Sequence, residues 1–239
     1  MASGTFRTGA APTHKAVGAP AYGAEVPREL TDLPYARHLE PFAAELEPDS
    51  HYDTVHLNGE YFDAVEASGA RFDESAFTGV TFQGGSLRFA RFADVWLRDS
   101  RWVGTNLSQT NWVNVEMVDN ALSGVEIIGS GLRRIRFEGC KFDAVNFRNA
   151  NLQEVQFVDC VLRDTDFAEA KLTKVSFPGT ILEGLSLHQA QLKNVDLRGA
   201  TAIGITAGIE ALRGATINPL QLMDLAPAFA RTFGITVRD

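Results

Sequence analysis

The chain has 239 residues, 45% of them hydrophobic, and its 22 basic and 30 acidic side chains leave a net charge of −8. Direct nucleic-acid binding needs concentrated Lys and Arg against phosphate, and this balance runs the other way. There is no 18-residue apolar stretch and no basic-then-apolar leader, so neither a membrane span nor a signal peptide is expected, and the expected compartment is the cytoplasm.

Residues 1–50 read as a tail and cap. Met1–Ala24 is rich in Gly, Ala, Thr and Pro (TGAAPTHKAVGAPAYGA) and reads as a flexible tail. The next stretch, PRELTDLPYARHLEPFAAELEP, is more apolar. A short helix is expected around Pro41 to Leu46, covering the open edge of whatever begins near His51 to Leu57.

From residue 51 to 204 a five-residue beat takes over. Large apolar residues stand at Phe137, Phe142, Phe147, Leu152, Phe157, Leu162 and Phe167. The same phase runs from Leu57 to Leu197 over twenty-nine positions, broken in character only at Ala67. Neither a helix, with its period of about 3.6, nor a strand, with its period of about 2, buries every fifth residue. A second column two residues earlier is small or β-branched, with Glu60 and Asn120 as exceptions. Gly recurs two residues after the large one, where a turn with positive φ suits it. A chain that bends at each pentad closes a square coil in four bends. The span then makes about seven coils, stacked at the inter-strand spacing of ~4.8 Å. The expected fold is all-β: a solenoid filled by stacked Phe and Leu ladders.

Cys140 and Cys160 fall one coil apart in the small column. That spacing admits a disulfide, and it equally suits two free thiols acting as small core hydrophobes. No metal site is expected from them.

Residues 205–239 form a C-terminal capping and dimerisation segment. Asn218 followed by Pro219 signals a helix start, Pro227 should break or restart the helix, and Gly234 is a stop. Leu220, Met223, Phe229, Phe233 and Ile235 offer more apolar surface than one coil end needs. A two-fold homodimer through them and a monomer with a capping helix both fit.

Pentads such as NANLQEVQF, AEAKLTKVSF and AQLKNVDLRGA resemble the pentapeptide-repeat family, whose motif is A(D/N)LXX. The resemblance covers about 150 residues. It implies a right-handed quadrilateral β-helix with a short C-terminal helical cap. The tail, LRGATINPLQ followed by a short helix and FGITV, resembles the end of the Qnr-type quinolone-resistance proteins. That resemblance implies a head-to-head dimer, a long acidic rod that imitates duplex DNA and occupies the DNA-binding saddle of DNA gyrase. Loops projecting from the coils, present in some members, are absent here because the register is unbroken.

Outward residues twenty apart share a face. One face carries Asp99, Glu116, Asp119, Glu138, Asp159 and Asp196 against Arg98, Arg136 and Arg198, and is the face expected to meet a basic partner. Another carries Arg71, Arg91, Arg133, Arg134, Lys171, Lys174 and Lys193 against Asp73, Glu74, Asp94 and Glu154, a net-basic stripe. The five His residues are scattered and no phosphate loop occurs, so catalysis, cofactors, metals and small-molecule substrates are not expected. Two functions remain: a DNA mimic acting on DNA gyrase, or an interaction module with an unrelated partner.

Overall fold

The computed structural model describes residues 28–238. The tail expected over Met1–Ala24 lies outside the described residues. The chain winds as a parallel four-sided β-solenoid of about eight turns with one C-terminal helix. Each rung pairs with the rung twenty residues on: Trp102 with Leu122, Leu122 with Phe142, Phe142 with Leu162 and Leu162 with Leu182. Three sides are hydrogen-bonded strands gathered into sheets of fourteen and eight. The fourth side carries isolated bridges, running from Glu66–Ser86 to Asp166–Ser186.

The ladder expected from the pentads is the core. Phe137, Phe142, Phe147, Leu152, Phe157, Leu162 and Phe167 are each at most 2% exposed. Rings repeat at the coil spacing, with Phe137–Phe157 at 4.9 Å, Phe157–Phe177 at 5.1 Å and Phe147–Phe167 at 5.0 Å, all parallel. Most of the small column is buried beside them, and its buried polar members Ser100, Thr110, Asn120, Ser130 and Thr180 are hydrogen-bonded, whereas the half-buried Glu60 leaves one carboxylate oxygen without a partner among the described residues. Asn120 donates to Leu97 O and Val118 O, and accepts from Ser100 N. Its amide therefore fills a slot that Val or Cys fills elsewhere, without an orphaned polar group. Cys140 and Cys160 are both buried and free. Burial is the main cause that pushes the Cys160 thiol well above its ordinary value.

The corners depart from the glycine expectation. Every fifth residue from Asp49 to Asn194 has positive φ, thirty positions in all, and only ten are Gly. Asp and Asn, which tolerate this region best after Gly, hold many of the others, including Asp99, Asn114, Asp119, Asp159 and Asn194. Arg134 and Lys174 sit there too, held by ladders on both sides of the corner.

The two ends correct the sequence reading. No helix forms over Pro41–Leu46. Glu40–Pro41 is instead a strand on the first coil's edge, with Glu40 N donating to Thr54 O and Phe42 N to His56 O. The residue before a proline disfavours helix, and an open strand edge needs a partner. Beside this strand Phe42 packs on Tyr52 and Phe62, and Leu46 is buried. At the other end the coiled path continues past residue 204. Ala202–Ala207 pairs with Ile181–Ser186 across a bulge, and Ala215–Thr216 pairs with Val195–Asp196. This extra coil raises the count above the seven expected.

The helix spans Pro219–Thr232. Asn218 caps it in a reciprocal box with Gln221, as its sequence signal implies. Pro227 does not break it. Met223, whose carbonyl loses the bond, and Pro227 are both on the exposed side, where solvent can replace the missing donor. Gly234 ends the helix at φ +66°, with Ile235 N reaching back to Ala230 O. Gln221 was not singled out in the sequence. It is buried and donates to Leu197 O and Ala200 O, tying the helix to the last regular coil.

Candidate partner-binding surface

A solenoid filled by its own side chains offers its outside. Along the expected acidic face, the column one residue before each large residue reads His56, Ala76, Trp96, Glu116, Arg136, Gln156, Ser176 and Asp196. The corner column beside it reads Asp99, Asp119, Gly139, Asp159 and Gly179. Coil stacking keeps each column in line.

The six expected carboxylates fare differently. Asp99, Asp119 and Asp159 are exposed along one corner. Among the described residues Asp119 and Asp159 enter no ion pair, and Asp99 has only a loose one to Arg98 at 3.7 Å. Glu138 is paired with Arg136 at 2.5 Å and Asp196 with Arg198 at 2.8 Å. The hydrogen bond from Arg198 holds the Asp196 carboxyl below the usual range. Glu116 is buried, 5% exposed, with both carboxylate oxygens taken by Arg28. The row open to a partner is thus three aspartates one and two coils apart.

The corner geometry aims these aspartates. In the left-handed conformation the Asp119 and Asp159 side chains lean over the next coil's corner, where Gly139 and Gly179 stand. A Cβ on Gly139 would fall 2.3 Å from Asp119 Oδ1, and one on Gly179 would fall 1.8 Å from Asp159 Oδ1. Asp119 and Asp159 as placed thus lean into space that a glycine twenty residues later leaves open, while Asp99 is followed at that spacing by Asp119. That Asp-then-Gly spacing is legible in the sequence and was not used there.

The net-basic stripe is present and partly neutralised. Lys174 pairs with Glu154 at 2.9 Å, and Arg134 reaches Asn114, which in turn donates to Asp94. Arg71, Arg91, Arg133, Lys171 and Lys193 are exposed.

The expected dimerisation residues form an uncovered apolar surface at the C-terminal end. Leu220, Met223, Phe233 and Ile235 are exposed, Met223 by 71%, with Leu222 and Val237 adding to them, while Phe229 is half-buried. Among the described residues no group of His, Cys, Asp and Glu is placed to hold a metal, and no helix is long and apolar enough to cross a membrane.

Residues 130–206 match the family model described as the pentapeptide repeat region. Their pentads are the coils whose register is set out above. That stretch is a pentapeptide-repeat region. No curated protein matches the chain in sequence. Among solved structures it is similar to QnrB1, a plasmid-mediated fluoroquinolone resistance protein, at 18% identity over 84% of this chain and 98% of that one, with a TM-score of 0.39. It is also similar to HetL, a pentapeptide repeat protein involved in heterocyst differentiation regulation from the cyanobacterium Nostoc sp. strain PCC 7120. There the identity is 15% over 71% of this chain and 90% of that one, with a TM-score of 0.30.

Proposed function

We propose that this pentapeptide-repeat rod is a non-enzymatic DNA mimic that binds DNA gyrase in place of DNA and thereby lowers the enzyme's exposure to a gyrase-directed drug such as a quinolone. The observation that carries the reading is the exposed row of Asp99, Asp119 and Asp159, paired only loosely at Asp99, on a stiff filled rod. The uncovered apolar end supports doubling that rod into a homodimer. Cytoplasmic residence, which gyrase binding needs, belongs to the same proposal.

Magnitudes set the character of the mimicry. About eight coils at ~4.8 Å make a rod of roughly 40 Å, over which the chain's net charge of −8 amounts to one charge per ~5 Å. Duplex DNA carries one per ~1.7 Å. A rod about threefold less charged competes through the placement of its carboxylates, and its binding should be less salt-sensitive than that of DNA.

The test is gyrase supercoiling with added pure protein. Inhibition, or protection from a quinolone, at micromolar dimer supports the proposal. Neither effect at that concentration leaves the second reading, an interaction module with an unrelated partner. The exposed basic stripe favours that alternative, since a DNA-like surface has no use for it.

A further inference from the structure

Residues 28–39 lie along the side of the rod, away from its end. Two short 3-10 turns, Leu30–Asp32 and Ala36–His38, carry this arm from Glu116 back to the first coil. Arg28 meets Glu116 twice, its backbone N donating to Oε1 at 2.8 Å and its Nε to Oε2 at 2.5 Å. The Trp96 indole donates to Arg28 O at 3.1 Å, Tyr35 OH donates to Ser75 O at 3.4 Å, and Glu29 pairs with Arg98. Leu33, Tyr35, Ala76 and Trp96 form a small buried cluster separate from the rod's core.

We propose that this arm is a displaceable strap over a preformed arginine-binding slot, and that the slot's other occupant is an arginine-bearing extended segment of a partner protein. Three observations carry it. First, the arm's backbone–backbone bonds are its own, Asp32 N to Glu29 O, Ala36 N to Leu33 O and His38 N to Tyr35 O; its backbone meets the rod's side chains only at Arg28, and ladder pairing to the rod begins at Glu40. Releasing it breaks no rung. Second, Ala76 and Trp96 interrupt an outward column that is otherwise polar or charged, so the rod presents a place for apolar contact beside a carboxylate. Third, the arm shows what that place accepts, a guanidinium on Glu116 and an aliphatic or aromatic side chain on Trp96. Asp99 and Asp119 stand exposed on the adjoining corner and extend the attraction to a basic segment. A carboxylate and an indole are arranged for an arginine whether the arm or another chain supplies it. The inference does not depend on the partner being gyrase.

Trp96 reports the strap. Trp96, Trp102 and Trp112 are all buried, so acrylamide should quench little of the native emission. In the full chain, Arg28→Glu faces Glu116 with a like charge. It should make the Trp96 share of the emission quenchable while leaving the thermal transition of the rod in place. A double variant, Arg28→Glu with Tyr35→Ala, guards against residual anchoring. A peptide of residues 26–40, VPRELTDLPYARHLE, is then added in trans. It should restore the shielding, and its Arg28→Glu version should bind at least about tenfold more weakly, the loss expected when a charge-assisted hydrogen bond gives way to a like-charge contact. Adding Glu116→Arg to the double variant should reverse the preference between the two peptides. Trp96 remaining shielded in the double variant would overturn the proposal, because the arm would then be a fixed part of the fold. Exposure of Trp96 with no peptide binding, or binding indifferent to residue 28, would overturn it as well, since the slot would not be an exchangeable site. None of these readouts involves gyrase.

Discussion

Phe157→Ala is the sharpest probe of the ladder. The ring is fully buried and lies parallel to Phe137 at 4.9 Å and Phe177 at 5.1 Å, with Phe142 edge-on at 5.6 Å. Removing a buried Phe side chain costs about 3–5 kcal/mol, and each aromatic contact adds about 0.5–1.5 kcal/mol to simple burial. The coils above and below are locked by their rungs and cannot collapse into the gap, so the loss should fall near 4 kcal/mol, by the same cavity reasoning. Phe157→Leu should cost much less, about 1–1.5 kcal/mol, because Leu97, Met117 and Leu197 already serve in that column. Phe89→Ala, at an exposed corner, should stay within about 0.5 kcal/mol. Urea titration of all three variants, with slopes compared to the parent, measures the differences. A Phe157→Ala loss below about 1 kcal/mol, or one no larger than that of Phe89→Ala, would refute a core built of stacked rings.

Three further outcomes are expected. Gly179→Ala should destabilise more than Gly104→Ala. Both have positive φ, costing about 1–2 kcal/mol for a residue with a Cβ, but only the first meets a side chain, Asp159. The difference should shrink when Asp159→Ala is combined with it. Met223→Glu should halve the mass seen by light scattering, from twice 26.0 kDa to 26.0 kDa, if the exposed helix face joins two copies. An unchanged mass would place any joint elsewhere. Thermal stability should plateau between about pH 7 and 9 and fall on either side. Below the plateau, His56 is held under its ordinary 6.5 chiefly by burial, and Asp196 under its ordinary 3.8 chiefly by Arg198. The unfolded chain binds those protons first, so stability falls with pH. Above it, burial raises the Cys160 thiol over its ordinary 9.0 and the Tyr35 phenol over its ordinary 10.0, so the unfolded chain ionises first. A transition temperature rising toward pH 4 would contradict these signs.

The ladder was legible because a filled square coil allows one large side chain per corner-to-corner segment, and any slip would expose it. The same constraint let Asn120 pass as an exception that the structure resolves through three hydrogen bonds. Corner residues were less legible. The left-handed conformation is imposed by closure of the coil, so Arg134 and Lys174 adopt it without any local preference. Pro227 was misread because its effect depends on where the orphaned carbonyl points, and a solvent-facing one is tolerated. The arm was invisible to periodicity: Leu33 and Tyr35 dock on a surface about forty to sixty residues away in sequence, on Ala76 and Trp96. The available signal was Trp96 itself, a large apolar residue in an outward column. Of the acidic face, sequence placed the carboxylates correctly on one side, but which of them are already paired depends on side-chain reach across coils. That is why Glu116 and Glu138 dropped out of the exposed row.

The central functional claim is that a row of three aspartates stands in for a DNA backbone, and competition for DNA on gyrase tests it most directly. Labelled duplex bound to gyrase should be released by the parent protein, and anisotropy should fall as the rod is titrated in. The triple variant Asp99→Asn, Asp119→Asn and Asp159→Asn keeps shape and fold while removing the charges. It should release the duplex at least about tenfold less effectively, as loss of complementary charge at an interface implies. Release that is equal for parent and triple variant, or no release by either, would contradict the claim.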